Sequence, residues 1–209
     1  SHWLNSCRFL NNMKEIFFAS NNPGKVAEIK AILGPSFAVS SPADLGITGE
    51  LRETGNNLEA NALEKARYFF EKLKIPVFAD DSGLEVAALD GRPGVNSADY
   101  AGAGRNNREN MLLLLRELEN AENRKAKFVA VIAYVDRNGE QLFRGEIAGK
   151  IAPGMKGNHG FGYDPLFIPE GFDRTFAELG EDIKNTLSHR KLAVNKLVEF
   201  LTQSENSAR

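Results

Sequence analysis

Two long strand candidates joined by a turn constrain this chain's fold more than any other feature. Lys127 to Val135 is an apolar, β-branched run, Asp136-Arg137-Asn138-Gly139 is a turn signal, and Glu140 to Ala148 reads as a second strand. Such a pair forms a hairpin, so at least part of the sheet is antiparallel. Upstream, strands and helices alternate instead. Lys14 to Ala19 reads as a strand, and Val26 to Leu33 as a helix with Val26, Ile29, Ile32 and Leu33 apolar. Asn57 to Leu73 and Asn107 to Leu118 read as further helices, and Ile75 to Ala79 as a short buried strand. A last amphipathic helix is expected from about Leu187 to Leu201, through Val194, Leu197 and Val198. Early alternation with a late hairpin predicts an α/β protein with a mixed sheet.

The chain's 209 residues fit one large domain or two closely packed lobes. Residues 1–12 lack the apolar core of a signal peptide and precede Met13, so they are read as a non-native extension. The domain is expected to span 13–201, with 202–209 a frayed polar tail. A net charge of −2 gives no long-range positive field to recruit nucleic acid, and no apolar run is long enough to span a bilayer. The single cysteine, Cys7, excludes an internal disulfide or a cysteine-based zinc cluster. A cytoplasmic setting is the expectation. An anionic substrate must then be held by local Lys and Arg together with metal.

Several short segments carry chemistry. Asp80 and Asp81 follow the run Ile75-Pro76-Val77-Phe78-Ala79 and are expected at that strand's C-terminal tip, the edge where open α/β sheets bind ligands. Two adjacent acids repel unless a cation or a shared proton intervenes, and all-oxygen ligation favours Mg²⁺. Taken alone, the pair reads rather as a solvated turn with capping aspartates, and the rest of the chain decides. Ser20-Asn21-Asn22-Pro23-Gly24-Lys25 joins the first strand to the first helix, where free backbone N–H groups and the helix dipole can face an anion. Its spacing is not that of a Walker A loop. Glu53, in Glu53-Thr54-Gly55, is either a third metal ligand or a plain loop acid. Gly160-Phe161-Gly162-Tyr163-Asp164-Pro165 displays a ring for stacking on a nucleobase and a carboxylate for its N–H groups, or else is a turn packed on the core. Lys184-Asn185 and Ser188-His189-Arg190 supply donors near the last helix.

In order along the chain, S-N-N-P-G-K, E-T-G, A-D-D-S-G-L, G-F-G-Y-D-P-L-F, T-F-A-E-L, K-N and S-H-R resemble the inosine triphosphate pyrophosphatase family, the Ham1-like XTP/dITP diphosphatases. The matches reach from Met13 to Leu201. The resemblance implies an elongated two-lobed α/β fold around a long mixed sheet, with a nucleotide cleft between the lobes. It also implies a Mg²⁺-dependent homodimer, with Mn²⁺ as an alternative metal, hydrolysing ITP, dITP and XTP to the monophosphate and pyrophosphate. Carried over, Ser20, Asn21, Asn22, Pro23, Gly24 and Lys25 resemble the triphosphate cradle. Asp81 looks like the general base, and Glu53, Asp80 and Asp81 like the metal ligands. Ser82 would contact substrate, Phe161 stack on the purine, and Gly162, Tyr163 and Asp164 line its edge. Lys184, His189 and Arg190 would contact the base and its 6-oxo group.

Two positions depart from the family pattern. Its usual Gly-Gly before Phe161 is His159-Gly160 here, and its Ser-Ala-Arg is Ser97-Ala98-Asp99. Rival readings are a non-catalytic nucleotide sensor, which would lack the acids, and a Mg²⁺-dependent phosphatase releasing orthophosphate, which would place a D-x-D motif after its first strand.

Overall fold

A computed structural model describes residues 13–49, 51 and 53–206. The expected extension, residues 1–12 with Cys7, lies outside them, as do 207–209. Six strands form one sheet in the order β2-β1-β3-β4-β5-β6: β1 Lys14–Phe18, β2 Phe37–Ser40, β3 Val77–Val86, β4 Lys125–Asp136, β5 Gly139–Ile151 and β6 Phe167–Pro169. β2, β1 and the start of β3 run parallel; β3, β4, β5 and β6 are antiparallel. The sheet is therefore mixed, and the hairpin falls where the turn signal puts it, with Asp136 paired to Gly139.

The helices are α1 Pro23–Leu33, α2 Leu58–Leu73, α3 Asn107–Glu117, α4 Phe176–Leu179, α5 Glu181–Leu187 and α6 His189–Asn206. α1 and α6 cover one face of the sheet with Ile29, Leu33, Ala193, Val194 and Leu197 against Phe18, Phe78 and Ile132. α2 covers the other with Leu58, Ala62, Ala66 and Phe69 against Phe17, Val77, Ala79 and Val131. A further cluster joins the far half of β3 to α3, α4 and β6 through Leu84, Leu114, Phe128, Phe167 and Phe176. Two lobes result, one on each half of the long strands.

Three expectations need correction. β3 does not end at Ala79. It continues through both acids to Val86, pairing with β4 along all ten residues, so Asp80 and Asp81 lie in mid-strand. What ends beside them is β1, whose pairing with β3 at Phe17↔Val77 and Phe18↔Phe78 goes no further. The acids thus stand where the parallel half of the sheet stops and β3 gains a free edge. The last helix begins at His189 and runs on to Asn206, past Leu201. The short strands β2 and β6 and helices α4 and α5 have no counterpart in the sequence reading.

Candidate active site

Successive residues of a strand face opposite sides, so the adjacent acids do not act as a pair. Asp80 shares its face with Phe78 and points toward α1 and α6. It is fully buried, and Arg190 Nε donates to its Oδ2 at 2.8 Å, with Lys25 Nζ 3.3 Å from Oδ1. That second contact compensates charge without hydrogen-bond geometry, leaving Oδ1 unpaired. Burial would raise the Asp80 carboxyl, but Lys25, Arg190 and Lys65 outweigh it and hold it well below the usual range. Asp81 points toward α2, where Asn61 Nδ2 donates to its Oδ2 at 3.1 Å. Burial pushes the Asp81 carboxyl up to about 6, against the pull of Lys65 and Lys25 and with a further push from Glu53. One acid is a locked anion; the other is poised to carry a proton.

α2 supplies the electrostatic frame. Lys65, on the buried side of the helix, donates to Glu53 Oε1 and to the main-chain oxygen of Asp80, each at 2.6 Å. Burial would lower its pKa, yet Asp81, Glu53 and Asp80 raise it, so the ammonium stays charged. Arg105 Nη2 lies 3.7 Å from Glu53 Oε2.

The segment Ser20–Lys25 curls away from the end of β1 into α1, as expected, but its backbone donors are not free. Asn22 Oδ1 caps the helix by accepting from Gly24 N and Lys25 N at 3.0 and 3.2 Å, while Ser20 Oγ accepts from Asn22 N. Pro23 takes the first helical position, where a missing N–H costs nothing. Asn21 Nδ2 donates to the carbonyls of Ile47 and Gly49, tying the turn to the next loop. The turn thus presents Lys25 to the cleft as its cation, while Asn22 holds the helix-end N–H groups.

At the other end, the loop 160–164 folds around Asp164, whose Oδ2 accepts from Phe161 N at 2.9 Å and from Lys184 Nζ at 2.7 Å. A side chain at 160 would strike that carboxylate, which explains Gly160. The Phe161 ring lies under Lys184 Nζ at 4.3 Å and packs over Gly24, where a Cβ would come within 2.6 Å of it. Tyr163 donates to the carbonyl of Ser97, and Gly162 borders the cleft beside it. His189 stacks on Phe128 at 4.8 Å between ring centroids; burial and Arg190 hold it well below its usual pKa, so it is neutral, with Nδ1 unpaired.

Arg190 joins the two ends. Besides Asp80, it donates to Ser82 Oγ at 3.0 Å and to Glu28 Oε2 at 2.6 Å. Glu28 also accepts from Ser188 Oγ at 2.8 Å and lies 3.4 Å from Lys184. A cleft of about 1010 Å³ between the lobes is lined by every predicted site residue except Asp80, which sits behind its wall. Glu28, Asn61 and Lys65 were missed, though a signal was available. Asn61 and Lys65 fall on the stripe Leu58, Ala62, Ala66, Phe69, and Glu28 beside Ile29, where helical periodicity calls for apolar residues.

A strand-borne acid, buried cations and an aromatic loop opening on one cleft define a nucleotide-hydrolase type of site. Residues 16–200 match the model of the Ham1 family, and the chain belongs to it. It is 45% identical over 191 residues to a dITP/XTP pyrophosphatase of Flavobacterium johnsoniae, covering 91% of this chain and 100% of the relative. A dITP/XTP pyrophosphatase of Porphyromonas gingivalis is 46% identical over 190 residues, covering 90% and 98%. Among solved structures, the Staphylococcus aureus Ham1 protein superposes with a TM-score of 0.81 at 41% identity, over 91% of this chain and 100% of that one.

Proposed function

We propose that the protein hydrolyses non-standard purine nucleoside triphosphates, such as ITP, dITP and XTP, to the monophosphate and pyrophosphate. The observation that carries this reading is the single cleft that opens on both a phosphate chemistry, Lys25 with Asp81, and a base chemistry, Phe161 with Lys184, His189 and Arg190. The names of the relatives point the same way.

In this reading Lys25 and Ser20 receive the triphosphate, with Lys65 keeping Asp81 and Glu53 in place. Asp81, raised to about 6, accepts a proton from the water that attacks the α-phosphorus, and Asn61 orients it. Phe161 stacks on the purine. Lys184 and Arg190 favour a 6-oxo group over a 6-amino group, because an amine would leave them facing another donor. A buried mismatch of this kind can discriminate by ~10⁴. Asp164 acts by building the loop and pinning Lys184.

The donors present fit Mg²⁺, which usually takes one or two carboxylates plus phosphate oxygens and water. Glu53 and Asp81 border the cleft and are the residues that would hold it. Asp80, committed to Arg190 and Lys25, would support from behind the wall rather than ligate. Bound there, the ion would neutralise charge on the leaving pyrophosphate. A homodimer is part of the same reading, and a solution mass checks it.

Incubation with ITP and Mg²⁺ tests the function. IMP plus pyrophosphate is expected. Orthophosphate would favour a phosphatase, and binding without turnover a sensor.

A further inference from the structure

The charged side chains that line the cleft are tied to one another or to their neighbours, with one exception. The carboxylate of Asp99 has no hydrogen bond or ion pair among the described residues. It is exposed, and it stands where the family pattern has arginine.

The main chain around it is fixed. Asn110, buried on α3, donates from Nδ2 to Ala98 O at 2.8 Å and accepts at Oδ1 from Ala101 N at 2.7 Å. One side chain thus holds the backbone on both sides of Asp99. Ser97 Oγ accepts from Leu84 N at 2.9 Å and donates to Gly94 O at 2.6 Å, which docks the segment on β3. This bracket gives an open carboxylate a set place on the cleft, as a group that must meet a ligand requires.

Two contacts locate that place. Two residues back, Ser97 O accepts from Tyr163 of the base loop at 2.7 Å. The charge of Asp99 is felt there, since burial first and then Asp99 raise the pKa of the Tyr163 hydroxyl. Six residues on, Arg105 lies 3.7 Å from Glu53 at the phosphate end. Asp99 therefore falls between the two ends, where the sugar of a bound nucleotide would lie. The chemistry agrees. A carboxylate repels phosphates and a 6-oxo group but accepts charge-assisted hydrogen bonds from hydroxyls. An acid holds ribose in this way in dinucleotide-binding folds. An arginine at this position could accept nothing.

We propose that Asp99 accepts hydrogen bonds from the ribose hydroxyls of the substrate, the 2′-hydroxyl included, and so biases this protein toward ribonucleotides over their 2′-deoxy counterparts. This inference rests on the reading of the cleft as a nucleoside triphosphate site.

Steady-state kinetics of the full chain with ITP and dITP, in the presence of Mg²⁺, test it. D99A is expected to lower the ratio of kcat/KM for ITP to that for dITP about tenfold, mainly through the KM for ITP. D99N, which keeps one acceptor oxygen without the charge, should recover part of the loss. A ratio equal to the parent's or higher overturns the proposal. That holds even if both rates fall, because an equal loss would mark the segment as merely structural. A parent protein that turns over neither nucleotide fails the triphosphate reading itself, and the role of Asp99 falls with it.

Discussion

Glu28 offers the sharpest test of how this site is held. It sits on α1, buried, with Arg190, Lys184 and Ser188 around its carboxylate. Burial alone would raise its pKa; Arg190 first, then Lys184, with help from the Ser188 hydroxyl, bring it down from 4.5 to about 2. Because the folded value is the lower one, the stabilisation is complete above the unfolded value and disappears as pH falls through the folded value. A gap of ~2.5 units corresponds to ~3 kcal/mol at pH 7, shrinking to ~1 kcal/mol at pH 3. Glu28→Gln keeps the shape and removes the charge. Urea unfolding at pH 7 should show a midpoint about 1 M lower than the parent's, taking an m-value of about 3 kcal/mol/M. At pH 3 most of that difference should be gone. Distant acids titrate in both proteins and cancel in the comparison, whereas Asp80 shares Arg190 with Glu28, so any change in its titration is part of the measured difference. A variant as stable as the parent at pH 7 refutes the reasoning. An undiminished gap at pH 3 does so too, since it would mean lost packing instead of lost charge.

Other perturbations separate the parts of the cleft. Asp81→Asn should cut turnover of ITP by at least ~10² while ITP still binds; normal turnover would remove Asp81 from the chemistry. Phe161→Ala should raise the KM for ITP about tenfold and leave pyrophosphate binding alone, from the ~1–3 kcal/mol that base stacking contributes. An unchanged KM would show that the ring does not stack on the base. At Gly83 an added Cβ would lie 2.3 Å from the Gly94 carbonyl oxygen, which is backbone and cannot swing aside. Gly83→Ala should therefore cost ~1–3 kcal/mol, read as a melting point several degrees lower, and a melting point equal to the parent's contradicts the close approach.

The hairpin and the early strand–helix alternation were legible because periodicity and turn chemistry are local. The extent of β3 was not. Asp80-Asp81-Ser82-Gly83 has the composition of a turn, and only tertiary partners, Arg190 from α6 and Asn61 from α2, make those acids tolerable inside a strand. β2 and β6, four and three residues long, carry too few positions for a period to show. The strand–helix junction at Ser20–Lys25 was legible, but its N–H groups were expected to be free, and a side-chain cap such as that of Asn22 shows only once the helix start is fixed. Glu28, Asn61 and Lys65 were legible in principle. Each is a polar residue at a helix position that the apolar stripe assigns to the interior.

The mid-strand placement of the acids reaches beyond the chemistry. β3 is paired with β4 over its whole length, so the backbone under Asp81 cannot open on its own; the amides that it turns toward β4 should exchange with solvent only when the sheet as a whole unfolds. A lesion elsewhere in the sheet should then change how many molecules are competent, leaving each survivor with normal turnover. Lesions in the surface loops 99–105 and 160–164 should do the reverse, altering the rate of every molecule while abundance holds. Sequence variants of this protein should accordingly divide into those that change its dose and those that change its rate, according to whether they fall in the sheet or in the loops that border the cleft.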